Sequence, residues 1–243
     1  MALLVFLPDL SCAADEPARR PQRQIRKPTV IAAPPPPVQP PPLPPPRPTV
    51  TVKGLTGTLN KDDVHQTMDA KQSEFDACIG QTRRGLRWIS GVIRFAFRVD
   101  AEGQVQEVHA TESTIGHRNL EQCLTDAVAA TVFPKPAGLA TARFTWGMTV
   151  EPVAGRPPDP LDAKILERVL RKRRPELWRE CEIRRRERFA VTAYIARNGR
   201  VLSAGAVPMP PKASEKLDCV LGEVVSWRMP KVEHQGKVSF LLR

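Results

Sequence analysis

The sequence predicts an α+β fold built twice in tandem behind a proline-rich segment, and three observations carry that prediction. First, the chain has 243 residues and 26 prolines, and the runs Pro34 to Pro37, Pro40 to Pro42 and Pro44 to Pro46 all fall before residue 50. Roughly 190 residues remain for folding, enough for two domains of about 100 residues each. Second, a shift of 96 positions maps Gly103 on Gly199, Val105 on Val201, Ala110 on Ala206, Cys123 on Cys219, Val128 on Val224, Pro134 on Pro230 and Lys135 on Lys231. A register kept over that distance without a gap is the signature of an internal repeat. Third, four of the 5 cysteines fall two per half: Cys78 with Cys123, and Cys181 with Cys219.

Residues 49–153 form the expected first copy. Thr49 to Lys53 alternates as a strand, and Asn60 stands as an N-cap before Asp62 and Asp63, whose charge suits the first turn of a helix. Val64, Met68, Phe75, Cys78 and Ile79 fall close to one face of that single helix. Gly91 to Asp100 is the clearest strand, with Ile93, Phe95, Phe97 and Val99 on one side and Arg94 and Arg98 on the other. A turn over Asp100 to Gly103 leads to a strand from Val105 to Thr111. Leu120, Cys123, Leu124 and Ala127 mark a second helix, and Phe144, Trp146, Met148 and Val150 a closing strand. The order is β-α-β-β-α-β, an antiparallel sheet with two helices.

Residues 159–243 form the second copy. Phe189, Val191, Ala193 and Ile195 replace the apolar strand face, and Val238, Phe240 and Leu242 the closing strand. Asp159-Pro160 reads as a helix cap with proline in the first turn, so the leading strand is expected to be missing. Pro175 is expected to break or kink the helix that follows.

The N-terminus has a different character. Met1 to Leu7 is apolar and Cys12-Ala13-Ala14 follows a short polar break, so residues 1–14 read as a signal peptide lacking its basic start. Cleavage after Ala14 would leave four cysteines, an even number suited to an oxidising, exported setting. Lipidation of Cys12 is the alternative, disfavoured by Asp9 three residues earlier. Residues 15–48 read as a disordered basic and proline-rich spacer; from Ala33 to Pro48 a polyproline II chain reaches on the order of 45 Å. A docking peptide for an SH3-like groove competes with the spacer reading. If both helices of a copy cover one sheet face, Cys78 meets Cys123 and Cys181 meets Cys219. Buried free thiols compete with those two disulfides.

The segments Gly57-Thr58-Leu59-Asn60-Lys61-Asp62-Asp63-Val64, Phe75-Asp76-Ala77-Cys78, Phe95 to Val105, Cys123 and Phe133-Pro134-Lys135-Pro136 resemble the C-terminal domain of AgmX/PglI-type proteins, associated with gliding motility in myxobacteria. That domain is similar to the C-terminal domain of TonB-like proteins. The match covers residues 50 to 153 well and 159 to 243 more loosely. The resemblance implies a periplasmic or envelope-associated domain that binds other envelope proteins or wall components without catalysis. It departs from TonB in having no apolar stretch of about 18 residues to serve as an anchor.

The remaining features are weighed against that expectation. His65, His109, His117 and His234 are scattered, and no zinc-type spacing, phosphate loop or serine elbow accompanies them, so no cofactor, metal or catalytic residue is expected. Asp62 and Asp63 are explained by helix capping. The net charge of +11 points to anionic partners such as lipid, wall polymer or nucleic acid. Nucleic acid is disfavoured because aromatic residues make up 5% and alternate into the core. Arg171, Lys172, Arg173, Arg174, Arg184, Arg185 and Arg186 form the candidate anionic-partner patch, against the default of a solvated helix surface. The closing strands offer a sheet edge for a partner strand, with Phe144, Thr145, Trp146 and Thr149 as candidates and Gly236 to Leu242 as the counterpart.

Overall fold

A computed structural model describes residues 51–52, 57–83, 86, 88–138, 141–152, 158–161 and 163–243. The expected signal peptide, Cys12 and the proline-rich spacer lie outside the described residues. The described residues cluster into one compact unit.

Its first half contains β1 (Thr51–Val52), α1 (Lys61–Asp69), α2 (Gln72–Arg83), β2 (Gly91–Val99), β3 (Val105–Ser113), α3 (Arg118–Ala129) and β4 (Ala142–Val150). Its second half contains β5 (Asp159–Pro160), α4 (Ala163–Glu180), β6 (Arg188–Ile195), β7 (Val201–Met209), a short 3₁₀ turn (Pro211–Lys216), α5 (Leu217–Ser226) and β8 (Gly236–Leu242). The fold is α+β. Three long antiparallel strands dominate each sheet, and the strand orders correspond: β1-β4-β2-β3 and β5-β8-β6-β7.

The pleat decides the cores. Ile93, Phe95, Phe97 and Val99 are buried, while Arg94 and Arg98 lie on the other face and pair with Glu112 and Glu107 of β3. Phe97 stacks on Phe144 at 4.8 Å between ring centres, and Phe133 meets Phe144 edge-on at 5.1 Å. Val64, Met68, Phe75, Leu120, Leu124 and Val128 close this core from the helical side. In the second half Leu177, Val220, Val224 and Trp227 cover Phe189, Val191, Ala193 and Ile195.

The 96-residue correspondence reaches atomic detail in the turn between the central strands. Gly103 (φ 90°) and Gly199 (φ 81°) both need a left-handed backbone. Their carbonyls accept the N–H of Phe133 and Met229, each at 2.8 Å. A Cβ on either glycine would strike the carbonyl of that same partner. Cys78 is bonded to Cys123 and Cys181 to Cys219, with Cα atoms 5.8 and 5.7 Å apart.

Several boundaries differ from the sequence reading. The first long helix is two, because Ala70 and Lys71 close α1 with amide bonds to Gln66 and Met68 before α2 begins. Asn60 caps α1 as expected, its side chain accepting the Asp62 N–H at 3.1 Å. The strand from Val105 continues past Thr111 to Ser113, and the leading strand is described only at Thr51–Val52. Asp159-Pro160 is no helix cap: it forms β5, which pairs parallel with Gly236 and Lys237, so the second half has a leading strand of opposite sense. Pro175 does not end α4, which runs through it. Aligning Cys181 on Cys78 places Pro175 on Gln72, the first residue of α2, a position where a helix asks for no amide donor.

Candidate functional site

The closing strand β4 is bonded to β2 along one side and, among the described residues, is paired for only two residues on the other. The hydrogen-bond parity follows from Val92, whose N–H donates to Thr114 Oγ1 and whose carbonyl accepts Thr114 N–H, both on the β3 side. Alternation then turns Ile93, Phe95 and Phe97 toward β4, and their partners Met148, Trp146 and Phe144 back toward β2. Thr145, Gly147 and Thr149 therefore point their N–H and C=O groups away from β2. Among the described residues, β1 covers only Thr145 and Phe144. Among the described residues no strand pairs with the outer side of Gly147 or Thr149, and Thr149 is exposed. Of the four candidate edge residues, Phe144 and Trp146 are only 3% and 7% exposed and pack in the core. Their side chains are not available to a partner; the edge offers backbone groups. β8 repeats the arrangement, with β5 covering only Gly236 and Lys237.

The basic candidates separate into two sets. Arg171 to Arg174 belong to α4, where Arg171 and Lys172 are exposed, Arg173 is partly buried and pairs with Glu176 at 3.2 Å, and Arg174 is partly buried. Arg184, Arg185 and Arg186 lie in the turn before β6, all exposed, and line a hollow of about 290 Å³ with Lys212, Pro210 and Glu215. α4 reaches that turn through Glu182 in the left-handed region (φ 48°), with Ile183 N–H returning to Trp178 C=O. Glu187 fixes the turn: one carboxylate oxygen accepts Arg184 N–H and Lys216 Nζ, each at 2.8 Å. The Lys216 ammonium, with the Arg184 N–H, holds that carboxyl below its ordinary value.

No family model, curated protein or solved structure matches the chain. Among the described residues, no group of three His, Cys, Asp or Glu could hold a metal ion, and no helix is long and apolar enough to cross a membrane.

A third feature was not anticipated from the sequence: a polar seam joining the halves. Glu121 of α3 is 6% exposed, and its carboxylate accepts Ser113 Oγ at 2.6 Å and lies against Gly205 of β7. Gly205 admits it, since a Cβ there would collide with the carboxylate. Nearby, Ser203 Oγ donates to Gly116 C=O at 2.8 Å. Tyr194 OH accepts Ser90 N–H at 3.0 Å and donates to Ser90 C=O at 3.2 Å, while Lys237 Nζ donates to the same carbonyl at 2.7 Å. Arg118 pairs with Asp218 across the seam at 3.3 Å. His117 caps α3 with Nδ1 accepting Leu120 N–H at 3.2 Å.

Burial pushes the Glu121 carboxyl above its ordinary value, against the opposing pull of Ser113, Gly116, Arg118 and Ala206. A carboxyl raised in the folded state contributes stability that is full below pH 4.5, its ordinary value, and is lost as pH rises through the raised one. Glu121→Gln should therefore match the parent at pH 4 and exceed it in stability at pH 8, measured by denaturant titration at both. A parent that gains stability on Glu121→Gln equally at both pH values would contradict this.

Proposed function

We propose that this chain is a non-catalytic cell-envelope protein that captures an extended segment of another envelope protein as an added strand along β4. The supporting observation is the pair of outward-facing residues, Gly147 and Thr149, on a strand that, among the described residues, is paired on its outer side only at Phe144 and Thr145. An unpaired run of N–H and C=O groups is a template for strand addition. The two disulfides fit an oxidising compartment, and the periplasm is the compartment we propose. Under this reading the halves are tandem domains of the TonB C-terminal type, as the AgmX/PglI resemblance implies, and serve a scaffold role in an envelope assembly. β8 is the second such edge.

Thr149→Pro is the direct test. Its N–H faces away from β2, so proline there costs no ladder bond of the fold yet removes a donor from the edge. We expect a melting midpoint within a few degrees of the parent, and loss of a partner captured on the parent from native envelope extracts. Undiminished capture by a folded Thr149→Pro variant would exclude β4 addition.

A further inference from the structure

We propose that the turn carrying Arg184, Arg185 and Arg186, together with Lys212 and the neighbouring Met209-Pro210-Pro211 segment, is a docking tip for an anionic phospholipid bilayer. The cations come from different parts of the second half and converge on one hollow: Arg184 to Arg186 from the turn after α4, Lys212 from the 3₁₀ turn after β7. None of these four side chains makes an ion pair within 4.0 Å among the described residues, although the Arg184 charge also acts on Glu187. The nearest acid, Glu187, is already taken by Lys216 and by the Arg184 amide, and the other lining carboxylate is Glu215. The turn is held in place by those Glu187 bonds and by Lys216 Nζ, which also donates to the Glu182 carbonyl. The cations are therefore presented on a fixed backbone.

What selects a bilayer over a soluble polyanion is the apolar group among them. Among the described residues Met209 is one of the few large apolar side chains left in solvent, 37% exposed, and it ends β7 directly opposite exposed Arg188 in the β6 ladder. Pro210 and Pro211 follow it, both exposed. An apolar tip with Arg188 across the ladder from Met209 and Arg184 to Arg186 and Lys212 around Pro210 gains from both parts of a membrane interface: charge attracted to anionic headgroups, and apolar surface buried below them. A nucleic acid or wall polymer would use the charge and leave Met209 in water.

The full chain should co-sediment with vesicles of phosphatidylglycerol and phosphatidylcholine mixed three to seven, and not with vesicles of phosphatidylcholine alone. At about 1 kcal/mol per basic residue, Arg184→Gln/Arg185→Gln/Arg186→Gln should bind the mixed vesicles roughly a hundredfold more weakly. Met209→Ser should weaken vesicle binding about tenfold and leave binding to a DNA duplex unchanged. All these residues are exposed, so each variant should melt with the parent, and Thr149→Pro should bind vesicles normally. Equal binding to phosphatidylcholine alone, or full vesicle binding by the triple variant, would overturn the proposal. So would full vesicle binding by Met209→Ser, which would assign the tip to soluble polyanions.

Discussion

Gly205→Ala should destabilise the protein by about 3 kcal/mol, a large loss for the addition of one methyl group. Gly205 does not need a positive φ, so alanine is no burden on the backbone itself. The cost comes from the Glu121 carboxylate, which occupies the space a Cβ would take. Expelling it leaves the buried Ser113 hydroxyl without its acceptor and forces a buried carboxylate out of the seam. The cause can be isolated by a double-mutant cycle. If the collision is the mechanism, Glu121→Ala combined with Gly205→Ala should be no less stable than Glu121→Ala alone, a departure from additivity of more than about 1.5 kcal/mol. Additive losses would place the cost of Gly205→Ala elsewhere.

Removing the first disulfide, by Cys78→Ser with Cys123→Ser, should cost about 4 kcal/mol in the chain-entropy picture for a loop with a sequence separation of 45. The seam adds a second expectation about the shape of the transition. Because Ser90 and Gly116 of the first half bond directly to β6, β7 and β8, both halves should unfold together, at lower denaturant, in one step. Tyr194 is the one tyrosine of the chain and sits in the seam, so its nuclear magnetic resonance signals report the junction directly. A two-step transition, with Tyr194 released before the second half unfolds, would show that the halves are independently stable.

Much of the fold was legible in residue patterns because both halves rest on strong local signals. Ile93, Phe95, Phe97 and Val99 alternate with arginines, so the buried face of β2 could be read directly. Gly103 and Gly199 share a turn that only glycine fits, and the cysteines mark where two helices meet. The boundaries that misled were those governed by contacts distant in sequence. Asp159-Pro160 carries the chemistry of a helix cap, yet pairing with Gly236 and Lys237 makes it a strand. Pro175 reads as a helix breaker, yet α4 runs through it, at the position where the first half starts a new helix.

The seam left a trace that patterning around one core could not interpret. On β2 the face away from the core carries Arg94 and Arg98, as a solvated sheet should. On β6 the same face carries Ala190, Thr192 and Tyr194, with a charge only at the end residue Arg188, and Thr192 and Tyr194 are buried. β7 matches it with Ser203, Gly205 and Val207, small or apolar side chains that let the first half approach. A sheet face whose middle is this poor in charge needs a cover, and here the cover is the first half of the same chain. Glu121 gave no such trace, because an acid on an amphipathic helix ordinarily faces water. The open edge was legible as a strand, but which residues present their amides depends on the pairing between β2 and β3.

Amide hydrogen exchange along β4, followed by nuclear magnetic resonance on the free protein and on its complex with a captured partner, tests the strand-capture account most directly. In the free protein Trp146 and Met148, bonded to β2, should be protected, while Gly147 and Thr149 exchange rapidly. On partner binding, Gly147 and Thr149 should become protected and the alternation along β4 should vanish. Rapid exchange at Gly147 and Thr149 in the complex, with new protection elsewhere on the surface, would contradict strand addition at this edge.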